Sequence, residues 1–279
     1  MPDIAFVNGS FVPFVDATVS IDDRGFQFGD GVYEVLRVYR GVPFRPEEHL
    51  ARLDRSARAL DINLPFNSGR WMDLIMDAVQ RSGYAEAKVY IQVTRGVAPR
   101  DHSYRAALAP TVVITVRSLL PLADRLYRNG VDVITVTDLR WGRCDIKCIS
   151  LLANVLVKQQ AVNEGVFEAL FVREGCVLEG STSNVITIQG GRLITPPEGP
   201  LLLSGVTRLV ALQLARDSGI STEQRPIKET ELYSAEEVFL TGTISEILPV
   251  VRVNGRQIGM GSPGPITSEL VARFRKLYA

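Results

Sequence analysis

One lysine of this chain has surroundings unlike those of the others. Lys147 lies between Cys144 and Cys148 in RCDIKCIS, after an apolar strand-like run and just before a predicted helix. Partial burial and the positive end of a helix dipole both disfavour an ammonium ion, which leaves more neutral amine to attack a carbonyl carbon. This pattern makes Lys147 a candidate for Schiff-base chemistry. Pairing with Asp138 or Asp145 would give it an ordinary structural role instead. The remaining lysines lie in patterns typical of solvated surface: Lys88, Lys158, Lys228 and Lys276.

Three segments combine glycine with small hydroxyl residues, a composition that binds anions through backbone N–H groups. They are EGSTSN (179–184), SGVTR (204–208) and TGTISE (241–246). The second opens a predicted helix and the third follows a predicted strand. Each alone has an ordinary interpretation as a cap or turn. Arg52, a further candidate for binding an anion, also has an ordinary structural interpretation, as the i+4 partner of Glu48 on an exposed helix face.

Hydrophobic periodicity and turn signals predict the elements that position these residues. The first part of the chain is predicted to contain a hairpin at Asn8-Gly9, strands at 32–39, 88–96 and 111–116, a helix behind Pro46 and a helix at 69–81. The second part is predicted to contain a strand at 131–136, a helix at 151–163, hairpins at Glu174-Gly175, Gly190-Gly191 and Asn254-Gly255, a helix after Ser204-Gly205, the strand EVFLTG and a terminal helix. Mixed helices and largely antiparallel strands indicate an α+β fold.

A break in the strand pattern at 118–130 indicates a domain boundary near residue 120. We therefore expect a smaller N-terminal α/β domain, 1–120, and a larger C-terminal domain, 121–279, that carries Lys147.

The 279 residues are 46% apolar with a formal net charge of zero, so no basic face for nucleic acid is indicated. No apolar run is long enough to span a membrane, and the first residues lack the pattern of a signal peptide. Three cysteines and two histidines predict neither a disulfide framework nor a metal site, and they favour a cytoplasmic protein.

Several segments occur in an order shared with one enzyme family. They are DRGFQFGDGVYEV (23–35), EHLARL (48–53), QVTRGVAPRDH (92–102), RCDIK (143–147), NVLVKQQA (154–161), EGSTSNV (179–185), LSGVTR (203–208) and TISEILPV (243–250). With them the chain resembles the fold-type IV aminotransferases that use pyridoxal 5'-phosphate (PLP). Within that group it is most similar to the D-amino acid transaminases. An ordered set of matches is far more specific than any single segment.

The resemblance implies a role for each candidate residue toward PLP. Lys147 would hold the cofactor as an internal aldimine, and Glu179 would contact the pyridine nitrogen and keep the ring protonated. The phosphate would be bound from the N-terminal domain by Arg52 and from the C-terminal domain by Val206, Thr207 and Thr243. Leu203 would pack behind the ring. Gly242 stands where the family pattern has a serine, so its backbone N–H would serve in place of a hydroxyl.

Substrate recognition is implied in the same way. Tyr33, Arg100 and His102 match positions that trap the substrate α-carboxylate, the last two from the other subunit, so a homodimer with shared active sites is expected. A guanidinium suits a carboxylate because its N–H fork binds both oxygens. Cys148 and Thr182 also depart from the family pattern, but neither belongs to this trap.

The implied activity is transamination between a D-amino acid such as D-alanine and a 2-oxo acid such as 2-oxoglutarate. After the substrate displaces Lys147 from PLP, the freed amine would move the Cα proton, and two half-reactions would give ping-pong kinetics. A branched-chain L-amino acid transaminase and an aminodeoxychorismate lyase of the same fold remain alternatives. A PLP-holding module without turnover is a third.

Overall fold

The computed structural model describes residues 3–104 and 108–279. Contacts between residues divide the chain into two units. The first comprises the described residues up to Pro121 together with Ile146–Leu151, and the second comprises Leu122–Asp145 together with Leu152–Ala279.

The first unit contains an antiparallel sheet. Its strands are β1 (Ile4–Val7), β2 (Ser10–Pro13), β3 (Gly31–Tyr39), β4 (Val42–Pro43), β5 (Ala87–Thr94) and β6 (Thr111–Ser118). They lie in the order β2-β1-β6-β5-β3-β4. The predicted hairpin at Asn8 and Gly9 joins β1 to β2, because both residues adopt positive φ, 47° and 107°.

Two helices, α2 (Pro46–Ala59) and α3 (Ser68–Ser82), cover one face of this sheet and form the core of the unit with it. A short helix, α1 (Arg24–Phe28), precedes β3. Pro46 starts α2, where its missing N–H costs no helical hydrogen bond. Leu50, Leu53 and Ala57 follow at helical spacing and are buried, as their pattern predicts. Along β3 the side chains alternate between the two faces, so Glu34 lies on the opposite face from Tyr33.

The second unit is built on a mixed sheet. Its strands are β7 (Val131–Thr137), β8 (Glu168–Arg173), β9 (Cys176–Gly180), β10 (Asn184–Gln189), β11 (Arg192–Thr195), β12 (Thr222–Gln224), β13 (Ile227–Lys228), β14 (Glu237–Gly242), β15 (Glu246–Val253) and β16 (Arg256–Gln257). The order is β12-β11-β10-β14-β15-β7-β8-β9-β13, and β16 pairs with β15. Asn184 of β10 also pairs with Glu179 of β9. That pair closes β10, β14, β15, β7, β8 and β9 into a barrel-like ring.

The helices of the second unit are α4 (Asp124–Asn129), α5 (Leu152–Asn163), α6 (Val206–Asp217), α7 (Glu229–Leu232) and α8 (Pro265–Lys276). α5, α6 and α8 agree with the predicted helices, whereas α4 lies inside the segment 118–130 that we expected to be a connection and α7 was not predicted. The α+β class expected from the sequence is confirmed.

No helix in residues 3–104 and 108–279 is long and apolar enough to cross a membrane. Within those same ranges, no group of His, Cys, Asp and Glu side chains could hold a metal ion.

The structure groups Lys147 with the first unit, whereas the sequence led us to expect it in the second domain. Backbone hydrogen bonds explain the difference. Tyr33 N donates to Lys147 O at 3.0 Å, and Ile149 N donates to Gly31 O at 3.0 Å. Segment 146–151 therefore lies against the start of β3 through an isolated antiparallel β-bridge between Cys148 and Val32.

Candidate active site

The backbone around Lys147 is fixed on both sides by residues of the first unit. Lys147 N donates to Ser56 Oγ of α2 at 3.1 Å, and its carbonyl accepts from Tyr33 N of β3. The side chain is half-buried, and its Nζ lies 4.3 Å from the centroid of the Tyr33 ring. The structure thus brings together the candidate nucleophile and one of the three residues expected to bind the substrate carboxylate.

The carboxylates that would give Lys147 an ordinary structural role have other partners. Asp145 accepts from Arg143 at 3.0 Å. Asp138 accepts from Arg140 at 2.9 Å and pairs with Arg173 at 3.1 Å. The sequence alone could not separate this arrangement from a Lys147–aspartate pair.

Arg52 of α2 lies in a buried cluster with two residues that sequence reasoning did not assign. Its Nε donates to Glu34 Oε1 at 2.7 Å, and its Nη2 donates to Glu34 Oε2 at 2.9 Å. His49 Nδ1 lies 2.8 Å from the same Oε2. The structural role considered for Arg52, pairing with Glu48 on an exposed face, is wrong, because Arg52 is 4% exposed and Glu48 pairs with Arg45.

The charges within this cluster follow from its burial. Burial alone would raise the pKa of Glu34, but the charge of Arg52 and the hydrogen bonds of His49 and Arg52 lower it to about 2. Burial also lowers the pKa of His49, more than Glu34 raises it. Glu34 is therefore ionised and His49 neutral at pH 7, so His49 Nδ1 is the donor to Glu34. The guanidinium of Arg52 is held in one orientation by two parallel hydrogen bonds.

Arg100 and His102 lie together on an exposed loop after β5. The Arg100 guanidinium is 4.5 Å from the centroid of the Phe28 ring, and the His102 ring is 5.5 Å from the same centroid. Buried Arg24 donates to the backbone carbonyls of this loop, at 2.6 Å to Asp101 O and 3.3 Å to His102 O. Arg24 therefore fixes the course of the loop that carries both side chains.

Glu179, at the end of β9 in the second unit, is held by three neighbours. Its Oε1 forms an ion pair with Arg140 Nη1. Its Oε2 accepts from Leu203 N at 3.0 Å and from Asn184 Nδ2 at 3.2 Å. Asn184 Nδ2 also donates to Leu203 O at 2.8 Å, so one amide ties the acid to the loop of Leu203. The structure brings together Glu179 and Leu203.

Arg140 supplies a permanent positive charge beside Glu179. Burial would lower its pKa, but the hydrogen bond to Asp138 and the charge of Glu179 raise it above the ordinary value. Its guanidinium also stacks 4.0 Å from the centroid of the Phe171 ring. An arginine held in this way favours the ionised form of the acid that it faces.

The N-terminus of α6 presents Val206 and Thr207 as its first residues. Its N-cap is Gly205, and no side chain in the described part of the chain caps it. A Cβ at Gly205 would lie 2.0 Å from Asn184 Oδ1, so the close approach requires glycine. The first N–H groups of a helix have no partner within it and carry positive potential, which suits an anion.

A second group of polar atoms surrounds Gly242 at the end of β14. Thr241 Oγ1 and Ser183 Oγ are buried and have no hydrogen-bond partner among the described residues. A Cβ at Gly242 would lie 2.8 Å from Ser245 Oγ and 3.8 Å from Ser183 Cβ. Gly242 leads into Thr243, the first residue of the turn between β14 and β15. Buried hydroxyls without partners and an uncapped helix N-terminus are both features that suit an anion such as a phosphate group, so the residues of this unit fit the phosphate of PLP.

Sequence reasoning missed the residues that hold the expected ones in place. Glu34, His49 and Asn184 all stand inside the matched segments, and a strand period of two would have placed Glu34 on the buried face of β3. Arg140 has no local signal, because its contact with Glu179 joins residues far apart in the chain. These contacts are set by tertiary structure.

Comparison with protein families identifies one that covers most of the chain. The profile of the family described as Amino-transferase class IV matches residues 31–253. The D-alanine aminotransferase of Bacillus licheniformis is 41% identical over 263 residues, which is 94% of this chain and 93% of that protein. The D-alanine aminotransferase of Staphylococcus haemolyticus is 38% identical over 274 residues, 97% of this chain and 96% of that protein.

Solved structures give the same fold. The branched-chain amino acid aminotransferase from Escherichia coli superposes with a TM-score of 0.91 and 27% identity, covering 100% of this chain and 95% of that one. The T.th. branched-chain amino acid aminotransferase with pyridoxamine 5'-phosphate gives a TM-score of 0.90 and 28% identity, covering 100% of this chain and 93% of that one.

Proposed function

The chain belongs to the class IV amino-transferase family, and from that membership we propose that it transfers the amino group of a D-amino acid to a 2-oxo acid. D-Alanine and 2-oxoglutarate are the proposed pair. The single observation that carries this proposal is the sequence identity of 41% and 38%, over nearly the full length of the chain, to D-alanine aminotransferases from two genera. The cofactor is PLP, which when bound withdraws electrons from the substrate Cα so that its proton can leave.

The first unit would contribute the amine and one phosphate contact. Lys147 Nζ would hold the cofactor and, once the substrate amine has replaced it, accept the proton from Cα and return it later in the reaction. Arg52 would bind the phosphate, and its bidentate bond to Glu34 keeps the guanidinium from turning away. His49, neutral and hydrogen-bonded to Glu34, adds no second positive charge to this cluster.

The second unit would contribute the remaining cofactor contacts. Glu179 would bind the pyridine nitrogen, supported by the charge of Arg140 and by Asn184. Val206 and Thr207 would bind the phosphate at the N-terminus of α6, and Gly242 and Thr243 would bind it at the end of β14. Leu203 would pack against the ring.

Tyr33, Arg100 and His102 would bind the substrate α-carboxylate. We propose that Arg100 and His102 serve the site of a second copy, in a homodimer. Their exposure on a loop held by Arg24 supports this assignment. The proposal of a homodimer is also supported by large apolar side chains that are exposed on one side of α5 and that a second copy would cover. They are Leu152, Val155, Leu156 and Val162. Three cysteines without disulfides suit a reducing cytoplasm, which we propose as its compartment.

The direct test supplies the purified protein with PLP, D-alanine and 2-oxoglutarate. The expected products are pyruvate and D-glutamate, with parallel lines in double-reciprocal plots because the kinetics are ping-pong. Product stereochemistry is assigned by chiral chromatography. Absence of both products would contradict the proposal.

Two alternatives of the same fold give different outcomes. The solved neighbours named as branched-chain aminotransferases favour the first of them, an L-branched-chain transaminase, which would use L-leucine faster than D-alanine. An aminodeoxychorismate lyase would release pyruvate from its own substrate without any 2-oxo acid acceptor.

A further inference from the structure

The turn between β14 and β15 contains a buried acid in a conformation that L-residues rarely adopt. Glu246 has φ 56° and is 7% exposed. Because Gly242 pairs with Glu246, residues 243–245 form a three-residue connection, and Glu246 is the left-handed residue that closes it. Glycine or asparagine usually occupies such a position. A glutamate there is strained, so contacts around it must hold it in place.

Those contacts come from the C-terminus of the chain. Tyr278 follows α8, and its Oη lies 3.0 Å and 3.1 Å from the two carboxylate oxygens of Glu246. Burial, and then the charge of Glu246, raise the pKa of Tyr278. The hydroxyl therefore stays protonated and donates a hydrogen bond to the carboxylate. Arg275 Nε lies 4.0 Å from Glu246 Oε2 and adds a positive charge.

A second tyrosine holds the same turn through its backbone. Tyr127 Oη of α4 donates to Ser245 O at 3.3 Å. The Arg275 guanidinium lies 4.4 Å from the centroid of the Tyr127 ring, so Arg275 is near both Tyr127 and Glu246. Tyr127 of α4 therefore holds Ser245, the last residue of the connection, and Tyr278 holds Glu246, the first residue of β15.

We infer that Tyr278 is a positioning residue for phosphate binding: by holding Glu246 in its left-handed conformation, it fixes the turn that presents Thr243. This inference rests on the proposed function, because it takes Thr243 as a phosphate contact. Tyr278 itself does not touch the cofactor in this scheme. Its effect passes through Glu246 and the backbone of the turn.

The test measures binding of two probes to the full-length protein freed of cofactor, by quenching of intrinsic fluorescence. Pyridoxamine 5'-phosphate carries the phosphate but no aldehyde to react with Lys147, and pyridoxamine lacks the phosphate. The variants are Tyr278→Phe, Glu246→Gly and the double variant. Glu246→Gln is a further variant, which keeps the strained conformation but weakens the bond from Tyr278.

Tyr278→Phe is expected to raise the Kd of pyridoxamine 5'-phosphate by up to about tenfold, because the strength of one hydrogen bond to a charged group limits how far Tyr278 can favour the binding conformation of the turn. The Kd of pyridoxamine should stay unchanged. Glu246→Gln should act in the same direction as Tyr278→Phe. Glycine adopts positive φ without support from neighbouring side chains. Tyr278→Phe should therefore have no further effect on either Kd in the Glu246→Gly background.

The matched control is Tyr84→Phe, which removes a tyrosine–carboxylate hydrogen bond of 2.9 Å to Asp3 in the first unit. It should change neither Kd, and thermal unfolding checks that every variant folds. Equal weakening of both probes by Tyr278→Phe would show a merely structural role and overturn the inference, as would wild-type affinities. A wild-type protein that binds the two probes equally would contradict the proposed function itself.

Discussion

Arg52 and Glu34 form a two-point ion pair inside the first unit, with N–O distances of 2.7 Å and 2.9 Å and a side chain of Glu34 that is 0% exposed. The pair joins α2 to β3. Because Arg52 is a proposed phosphate contact, the same bonds serve the stability of the unit and the orientation of a binding group.

Glu34→Gln should lower the free energy of unfolding, because it removes the charge that pairs with Arg52. Burial opposes ionisation of Glu34, but Arg52 prevails and lowers the pKa from 4.5 to about 2. The stability that results is present above pH 4.5 and is lost as the pH falls toward 2, and it amounts to about 3 kcal/mol. Denaturant unfolding should show that loss at pH 7 and a much smaller one at pH 3.

The control for this prediction is Glu48→Gln. Glu48 pairs with Arg45 at 2.9 Å, and both side chains are exposed, at 39% and 42%. Exposed pairs contribute little, so the change should stay below about 1 kcal/mol. A Glu34→Gln variant with the same stability loss at pH 7 and pH 3 would contradict the assignment.

Lys147→Arg should abolish covalent attachment of PLP and lower the transamination rate by about 10³-fold or more, because arginine neither condenses with the cofactor nor accepts a proton at pH 7. Borohydride reduction followed by peptide mapping measures the attachment. Lys228→Arg, at an exposed position, is the control and should keep both the label and the rate. A pyridoxyl label on any lysine other than Lys147 would exclude the proposed role.

Arg100→Lys should raise KM for D-alanine by about 10-fold, since lysine cannot form the two parallel hydrogen bonds that a guanidinium gives a carboxylate. The change in Tm should be small, because Arg100 is exposed. Steady-state kinetics at a fixed 2-oxoglutarate concentration measure the effect. Arg58→Ala, on an exposed part of α2, provides the control, and an unchanged KM in Arg100→Lys would remove Arg100 from the trap.

The three thiols should differ in reactivity. Burial raises the pKa of Cys144 to about 11 and also raises the pKa of Cys148, whereas Cys176 is partly exposed at the start of β9. Only thiolates react quickly, so a disulfide reagent at pH 8 should modify Cys176 first. Cys176→Ser should remove the fast phase. A fast phase that persists in this variant would place a buried thiol within reach of solvent.

The sequence predicts most of the elements because their signals are local. Asn8-Gly9, Pro46 and the spacing of Leu50, Leu53 and Ala57 each fix a turn or a helix through interactions within a few residues. The helix α4 was missed, since six residues from Asp124 to Asn129 give too short a periodic pattern. The grouping of Lys147 with the first unit has no local signal for a different reason. Pairing of segment 146–151 with β3 joins residues more than a hundred positions apart.

The proposed site shows the same limit. Its residues are named from the resemblance to the family's segments, because a lysine before a helix and hydroxyls beside glycine also have ordinary structural interpretations. Their supports could not be named in this way, since Arg140 reaches Glu179, and Tyr278 reaches Glu246, only across the folded sheet. Contacts of this kind need the three-dimensional structure.

The grouping of Ile146–Leu151 with the first unit has a consequence for any attempt to dissect this protein. The polypeptide changes unit after Pro121, after Asp145 and again after Leu151, so no single scission yields two complete halves. A truncated product ending at Pro121 would deprive Gly31 and Tyr33 of the backbone bonds that Ile149 and Lys147 provide. Recombination between distant relatives at one crossover between β3 and Ile146 would likewise combine Lys147 with a strand from the other parent.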